Sequence, residues 1–174
     1  GRINFLDAKD TSRPCRIVEG HSKPITSLET GYDGKTLISS GSDGKTIKWD
    51  SEDGKADVIE GAGHNSQINA LRKGGDNKML SVGLDDCLRF MNIEKNAYED
   101  VCTKLGGQPK DLDHVQDLTG VVTVKSVILF SKGSVLLEQV LPYEPSCIAI
   151  SSANHYVMIG DNAANLVHVY ESKG

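Results

Sequence analysis

Gly20-His21-Ser22-Lys23-Pro24-Ile25-Thr26-Ser27-Leu28 opens a stretch of alternating apolar and polar residues that closes on Lys48-Trp49-Asp50. Forty-three positions after Gly20, Gly63-His64 opens a second stretch of the same design, which closes on Met91-Asn92. The same ruler slid backwards lays Gly44-Lys45-Thr46-Ile47-Lys48-Trp49-Asp50 over Gly1-Arg2-Ile3-Asn4-Phe5-Leu6-Asp7, and fourteen positions separate both Asp7 from His21 and Asp50 from His64. Slid forwards, it gives Asn165 to Tyr170 the spacing of Gly44 to Trp49. The chain is read as beginning and ending inside a repeat.

A Gly-His to Trp-Asp unit recurring at ~40–45 residues resembles the blade of a WD-repeat β-propeller. The local chemistry agrees with a blade of four short strands. Pro24 to Leu28 reads as the inner strand, Thr36 to Ser40 as the second and Thr46 to Trp49 as the third. Asp33-Gly34 and Ser42-Asp43-Gly44 supply tight turns, because glycine reaches positive φ without steric cost. Asp57 to Glu60 reads as a charged outer strand, as an exposed sheet edge requires. The second unit repeats the plan with Gln67 to Leu71, Lys78 to Val82, Cys87 to Met91 and Asp100 to Leu105. In the third, Gly107-Gln108 stands where Gly-His is expected, and the strands read Asp111 to Val115, Gly120 to Val124, Val127 to Phe130 and Val135 to Val140. The fourth gives Ser146 to Ile150, Tyr156 to Gly160 and Leu166 to Tyr170. No helix-period apolar pattern of useful length interrupts this.

The expectation is an all-β, partial WD-repeat β-propeller of about four blades of four-stranded antiparallel sheet, starting and ending mid-blade. Residues 1–19 finish a preceding blade, 20–62 and 63–106 form two blades, 107–141 a degenerate blade and 142–174 an incomplete one. Such an array is expected to self-associate through its open blade edges.

Composition narrows the function. The net charge of −5 comes from interspersed acids and bases, without the Lys/Arg block that tracks a phosphate backbone, so no nucleic-acid partner is expected. No apolar run approaches the ~20 residues of a membrane-spanning helix, and no membrane partner is expected. Cys15, Cys87, Cys102 and Cys147 form no Cys-x-x-Cys pair and read as small buried core thiols of a reducing compartment.

His21, Ser39, Asp43 and Trp49 contain the ingredients of a Ser–His–Asp hydrolase. Their spacing resembles another arrangement, the structural tetrad of WD repeats, in which those four side chains form one hydrogen-bonded network inside a blade. A network of this kind lets polar groups be buried with partners. His64, Ser81 and Asp85 read as a partial tetrad, with Met91 filling the tryptophan site. The third and fourth units place Lys125 or Ser126 and Ala163 or Ala164 near the aspartate position, and their stability is expected to rest on strand packing alone. His114, His155 and His168 are not grouped at metal-ligand spacing. Asp85-Asp86, Glu99-Asp100 and Asp111 with Asp113 read as a blade turn, solvated loops and strand faces. No catalytic, cofactor or metal site is expected.

A closer resemblance is carried by Gly1-Arg2-Ile3-Asn4-Phe5, by Gly20 to Leu28, by Asp33-Gly34-Lys35-Thr36-Leu37, by Asp85-Asp86 and by Gln108-Pro109. It continues through Tyr143-Glu144-Pro145-Ser146-Cys147-Ile148-Ala149 and ends in Val167-His168-Val169-Tyr170. These stretches resemble the actin-interacting protein 1 family, from near the junction of its two propellers into the second, and the degenerate third repeat is shared. The resemblance implies a non-enzymatic, cytoplasmic protein of the actin cytoskeleton. Its implied partners are actin filaments and cofilin, and its implied action is filament severing and disassembly. The alternative is a generic WD-repeat adaptor for another complex, where the fold is shared and the loops decide the partner.

Overall fold

The computed structural model describes residues 1–152 and 156–171; His155 lies outside the described residues. Seventeen strands account for its regular structure. β1 (Arg2–Asp7) and β2 (Asp10–Glu19) pair as a hairpin. β3 (Ile25–Thr30), β4 (Thr36–Gly41), β5 (Thr46–Asp50) and β6 (Ala56–Val58) form the first four-stranded sheet. β7 (Ile68–Lys73), β8 (Lys78–Gly83), β9 (Cys87–Asn92) and β10 (Ala97–Lys104) form the second. The third holds β11 (Pro109–Val115), β12 (Leu118–Thr123), β13 (Ser126–Ser131) and β14 (Ser134–Val140). β15 (Pro145–Ile150), β16 (Tyr156–Asp161) and β17 (Val167–Glu171) make a three-stranded sheet.

Every sheet is an antiparallel meander in chain order, and the first strands of successive sheets, β3, β7, β11 and β15, lie side by side. This is a partial WD-repeat β-propeller, with the strands close to where the sequence pattern sets them. The outer strand of the first blade is shorter and earlier than Asp57 to Glu60, because Ile59 turns inward and is buried. The outer strand of the second blade starts at Ala97 rather than Asp100, since Tyr98 pairs with Met91 before the register breaks ahead of Cys102.

Between blades, apolar side chains from facing sheets interdigitate. Ile38 of the first blade packs with Leu71, Met79 and Met91 of the second. Ala70, Leu80 and Leu88 pack with Leu112, Val121 and Ile128 of the third, and Val122 and Leu129 meet Ile148, Val157 and Ile159 of the last sheet. Polar staples join the inner strands as well. The Thr26 hydroxyl donates to Ile68 O at 2.5 Å and the Asn69 amide to Pro109 O at 2.6 Å. Asp111 accepts from Ile148 N at 3.1 Å and pairs with Arg72, while Asp113 accepts from Ile150 N at 2.7 Å. These aspartates are therefore not the solvated strand faces anticipated above. They satisfy backbone N–H groups of the next blade, which no strand pairing across a blade gap can do.

The cysteines also depart from expectation. Cys15 and Cys147 are exposed free thiols, whereas Cys87 and Cys102 are joined across β9 and β10 with Cα atoms 5.9 Å apart. Register explains the pairing. Cys87 stands opposite Lys104 and Cys102 opposite Arg89, so the two cysteines are diagonal neighbours on one face of the sheet.

Candidate functional site

The sequence-singled residues of the first blade meet in one buried cluster. His21 lies four positions ahead of β3, Ser39 is on β4, Asp43 is in the β4–β5 turn and Trp49 is on β5. His21 Nε2 is 2.7 Å from Ser39 Oγ, and its Nδ1 is 3.0 Å from Asp43 Oδ1. Trp49 donates from Nε1 to the same Ser39 oxygen at 2.8 Å. Asp43 also accepts from Ser22 N at 2.9 Å and Lys45 N at 3.2 Å, so it ties the loop before the blade to the turn inside it. Burial pushes the Asp43 carboxyl up, but the hydrogen bonds from His21, Lys45 and Ser22 outweigh it and hold the group below its usual range. Two glycines make room. A Cβ on Gly41 would lie 2.9 Å from His21 Nδ1, and one on Gly20 would lie 2.8 Å from the Trp49 ring.

This arrangement leaves a nucleophile nothing to do. Ser39 is 0% exposed and Trp49 1%, and the Ser39 oxygen already serves His21 and Trp49. A substrate carbonyl has no approach to it, and catalysis requires a nucleophile within reach of the reacting atom.

The second blade repeats the cluster with a different cover. His64 Nε2 is 2.9 Å from Ser81 Oγ, and Nδ1 is 2.7 Å from Asp85 Oδ1. Burial lowers the His64 pKa despite the opposing Asp85 carboxylate. Met91 pairs with Met79 as Trp49 pairs with Leu37, so it holds the tryptophan register, fully buried. The aromatic role, however, belongs to Tyr98 of β10. Its ring stands edge-on to His64 at 6.2 Å and covers Gly63, where a Cβ would come within 2.8 Å. Its hydroxyl lies 2.7 Å from Thr46 Oγ1 in the first blade. Burial raises the Tyr98 pKa against opposing hydrogen bonds from Thr46 and Ser81. Sequence reasoning missed Tyr98 because it searched only the third strand for an aromatic residue.

The third and fourth blades solve the same position without a His–Ser pair. Ser42 N, Leu84 N, Val124 N and Asn162 N donate to Pro24 O, Gln67 O, Gln108 O and Glu144 O respectively, which aligns the four blades. Three residues before those acceptors stand His21, His64, Leu105 and Leu141. Leu105 shares a core cluster with Val121, and Leu141 with Ile159. Val121 and Ile159 hold the strand position of Ser39 and Ser81, fourth on β12 and β16. A buried His–Ser pair has become a Leu–Val or Leu–Ile pair. Thr123 replaces the glycine of Gly41 and Gly83, and its hydroxyl, 2.8 Å from Ser126 Oγ and accepting from Ser126 N at 3.0 Å, closes the turn that Asp43 closes in the first blade. The missing Gly-His is thus met by an apolar pair together with a local hydroxyl network, rather than by strand packing alone. His114 bonds Thr119 at 2.8 Å, and His168 stacks on Tyr143 with ring centres 4.0 Å apart. Among the described residues, no group of His, Cys, Asp or Glu is disposed to hold a metal ion.

Grooves lie between the sheets, away from these clusters. One of about 410 Å³ separates the outer parts of the second and third blades. Its counterpart between the first and second blades is about 150 Å³, because Tyr32 leans across that gap to donate to Gly74 O at 2.8 Å, and Gly75 takes the place of Tyr32 in the next blade.

The family model described as WD domain, G-beta repeat matches residues 12–50. Over 176 residues, covering all of this chain, it is 34% identical to actin-interacting protein 1 of Drosophila melanogaster. The chain resembles actin-interacting protein 1 along its whole length. It is also 34% identical to WD repeat-containing protein 1-A of Xenopus laevis and 32% identical to the 66 kDa stress protein of Physarum polycephalum, over all of this chain in both cases. The chain spans 29% of the length of each of these relatives. Among solved structures, the β-propeller domain of Myceliophteria thermophila Cps50 (Swd1) superimposes with a TM-score of 0.82 at 14% identity, covering all of this chain and 60% of that one. The computationally designed Ika4 protein gives a TM-score of 0.73 at 18% identity, covering 90% of this chain and 96% of that one. At such identities these two structures speak for the fold alone.

Proposed function

We propose that this chain is part of a non-enzymatic, cytoplasmic actin-binding scaffold that acts with cofilin to promote filament severing and disassembly. The observation that carries this reading is the 34% identity to an actin-interacting protein over the full 176-residue alignment. The physical scheme is simple. A stiff blade array presents its connecting loops with little ordering cost on binding. A scaffold that prefers a cofilin-decorated, deformed filament shifts the filament toward that state by its differential affinity and no more. The clusters at His21 and His64 serve in this reading as structural tetrads that hold the loops.

Co-sedimentation with actin filaments, with and without cofilin, tests the proposal, using a full-length relative as the positive control. Cofilin-dependent pelleting is expected, and its absence while the control pellets would remove this reading. The second reading, a generic WD-repeat adaptor, would gain from a pull-down that recovers neither actin nor cofilin. Self-association through blade edges belongs to the same proposal, since Val135, Leu136 and Val140 on β14 and Val167 and Val169 on β17 are exposed apolar residues. A compact monomer in light scattering would count against it.

A further inference from the structure

We infer that Cys87 and Cys102 form a reversible thiol–disulfide switch, flanked on the same sheet face by Lys104 and Arg89, which also hold Asp85, that clamps the outer strand of the second blade. Strand register places four side chains at the corners of a square. Cys87 lies opposite Lys104 on one rung and Arg89 opposite Cys102 on the other. Directly paired residues share a face, and so do residues two apart on a strand. The cysteines therefore occupy one diagonal and the cations the other. A cation beside a thiol favours the thiolate, which is the nucleophile in disulfide exchange. The Cα separation of 5.9 Å lies within the span that a disulfide bridges without backbone movement.

Access is graded in the order that exchange needs. Cys102 is half-buried and Cys87 is 1% exposed. With glutathione disulfide as oxidant, the Cys102 thiolate attacks one glutathione sulfur, forming a mixed disulfide and releasing one glutathione thiolate. Cys87 then displaces the second glutathione as its thiolate and closes the intramolecular bond. The two protein thiols lose two electrons and two protons in all, and one glutathione disulfide becomes two glutathione thiols.

The bond has a definite mechanical target. Cys87 and Cys102 are fifteen positions apart, and the segment between them carries Tyr98 with its contact to Thr46 in the first blade. Pairing between β9 and β10 is interrupted from Tyr98 to Cys102, so the link fastens β10 just beyond its weakest stretch. Oxidation is expected to hold Tyr98 against the first blade, and reduction to loosen it.

The test uses the whole chain in defined mixtures of reduced and oxidised glutathione, followed by alkylation and peptide mass mapping. The expected product is a single Cys87–Cys102 cross-link, forming while Cys15 and Cys147 end as free thiols or mixed disulfides. Lys104→Met removes the cation on this face together with its hydrogen bond to Asp85 O, and is expected to slow alkylation of reduced Cys102 at pH 7 roughly tenfold, with Lys104→Arg keeping the rate. Hydrogen exchange over residues 97–104 is expected to slow on oxidation. The inference fails if Cys102 alkylates no faster than exposed Cys15, if Lys104→Met leaves its rate unchanged, if the cross-link maps to another pair, or if oxidation leaves exchange at 97–104 unaltered.

Discussion

The first two blades and the last two hold the same backbone corner with opposite chemistry. At the corner where a loop enters a blade and meets its second strand, the first blade buries His21 on Ser39 and the second buries His64 on Ser81. The third and fourth bury Leu105 with Val121 and Leu141 with Ile159. A polar pair demands the rest of its network. Each imidazole needs a carboxylate on its far nitrogen, and the glycines at Gly41 and Gly83 clear space for the ring. An apolar pair demands only shape, so Thr123 can occupy the glycine position and bond its own turn. The contrast teaches that decay of the Gly-His signature is a coordinated exchange at several positions, since losing the histidine alone would strip a hydrogen bond from both the buried serine and the aspartate.

The sharpest way to break this comparison is to remove an aromatic residue at matched register. Trp49→Ala should destabilise by about 3–5 kcal/mol, through lost packing and loss of the indole hydrogen bond to Ser39. Phe130, which pairs with Thr119 as Trp49 pairs with Leu37, has buried Val121 in its cluster in place of a serine, and Phe130→Ala is expected at the lower end of that range. Denaturant unfolding measures both, and equal losses would mean that the network adds nothing beyond packing. Next in size is a transplant. Leu105→His places an imidazole among apolar neighbours and should cost about 2–4 kcal/mol. Adding Val121→Ser supplies a partner, and the double substitution should cost about 1 kcal/mol less than the sum of the two single ones. A double-mutant cycle without coupling would refute the assignment of Leu105 to the position of His21.

Much of this was legible in the sequence, for reasons that also mark where legibility ends. Period-two alternation and Gly or Asp turns fixed the strands because each strand is short and bounded by turn chemistry. The members of the first cluster were found because their spacing follows from strand length. Tyr98 was not, since it arrives from the outer strand, whose length varies between blades. Leu105 and Leu141 were missed because the search was for Gly-His, and an apolar replacement at a buried corner looks like any other core leucine. Asp111 and Asp113 are read in sequence as strand-face acids. Only the neighbouring blade shows that they bond Ile148 N and Ile150 N.

A smaller effect sharpens the comparison within the polar half. In the first blade the aromatic cover is covalently part of the third strand, whereas in the second it is Tyr98, whose hydroxyl reaches Thr46 of the neighbouring blade. Tyr98→Phe keeps the ring over Gly63 and removes chiefly that bond, with a lesser contact to Ser81, so a loss of about 1 kcal/mol is expected. The loss should vanish in a Thr46→Val background, where the partner hydroxyl is already gone. A full loss in that background would show that Tyr98 acts through Ser81 rather than between blades.

The smallest expected effect is titration, and it separates the two halves by sign. The His64 pKa is lowered by burial, partly opposed by Asp85. As pH falls below about 6.5 the unfolded chain takes up a proton at this residue before the folded chain does. Stability from His64 is therefore whole above that pH and is lost as pH falls through the lower folded pKa. Asp111, in the third blade, behaves oppositely. Burial raises its pKa over the opposing Ile148 hydrogen bond and Arg72, so the folded state holds its proton more tightly and acidification toward about pH 4 favours folding at this group. Replacing His64 and Asp85 by Leu and Ala, in the manner of Leu105 and its neighbours, should remove the loss near pH 6 and leave the Asp111 contribution in place. Unfolding free energies measured from pH 7 to pH 4 in the two proteins decide it. If the acid-side slope near pH 6 survives the double substitution, the polar corner is not its source, and the contrast between the blades is one of packing alone.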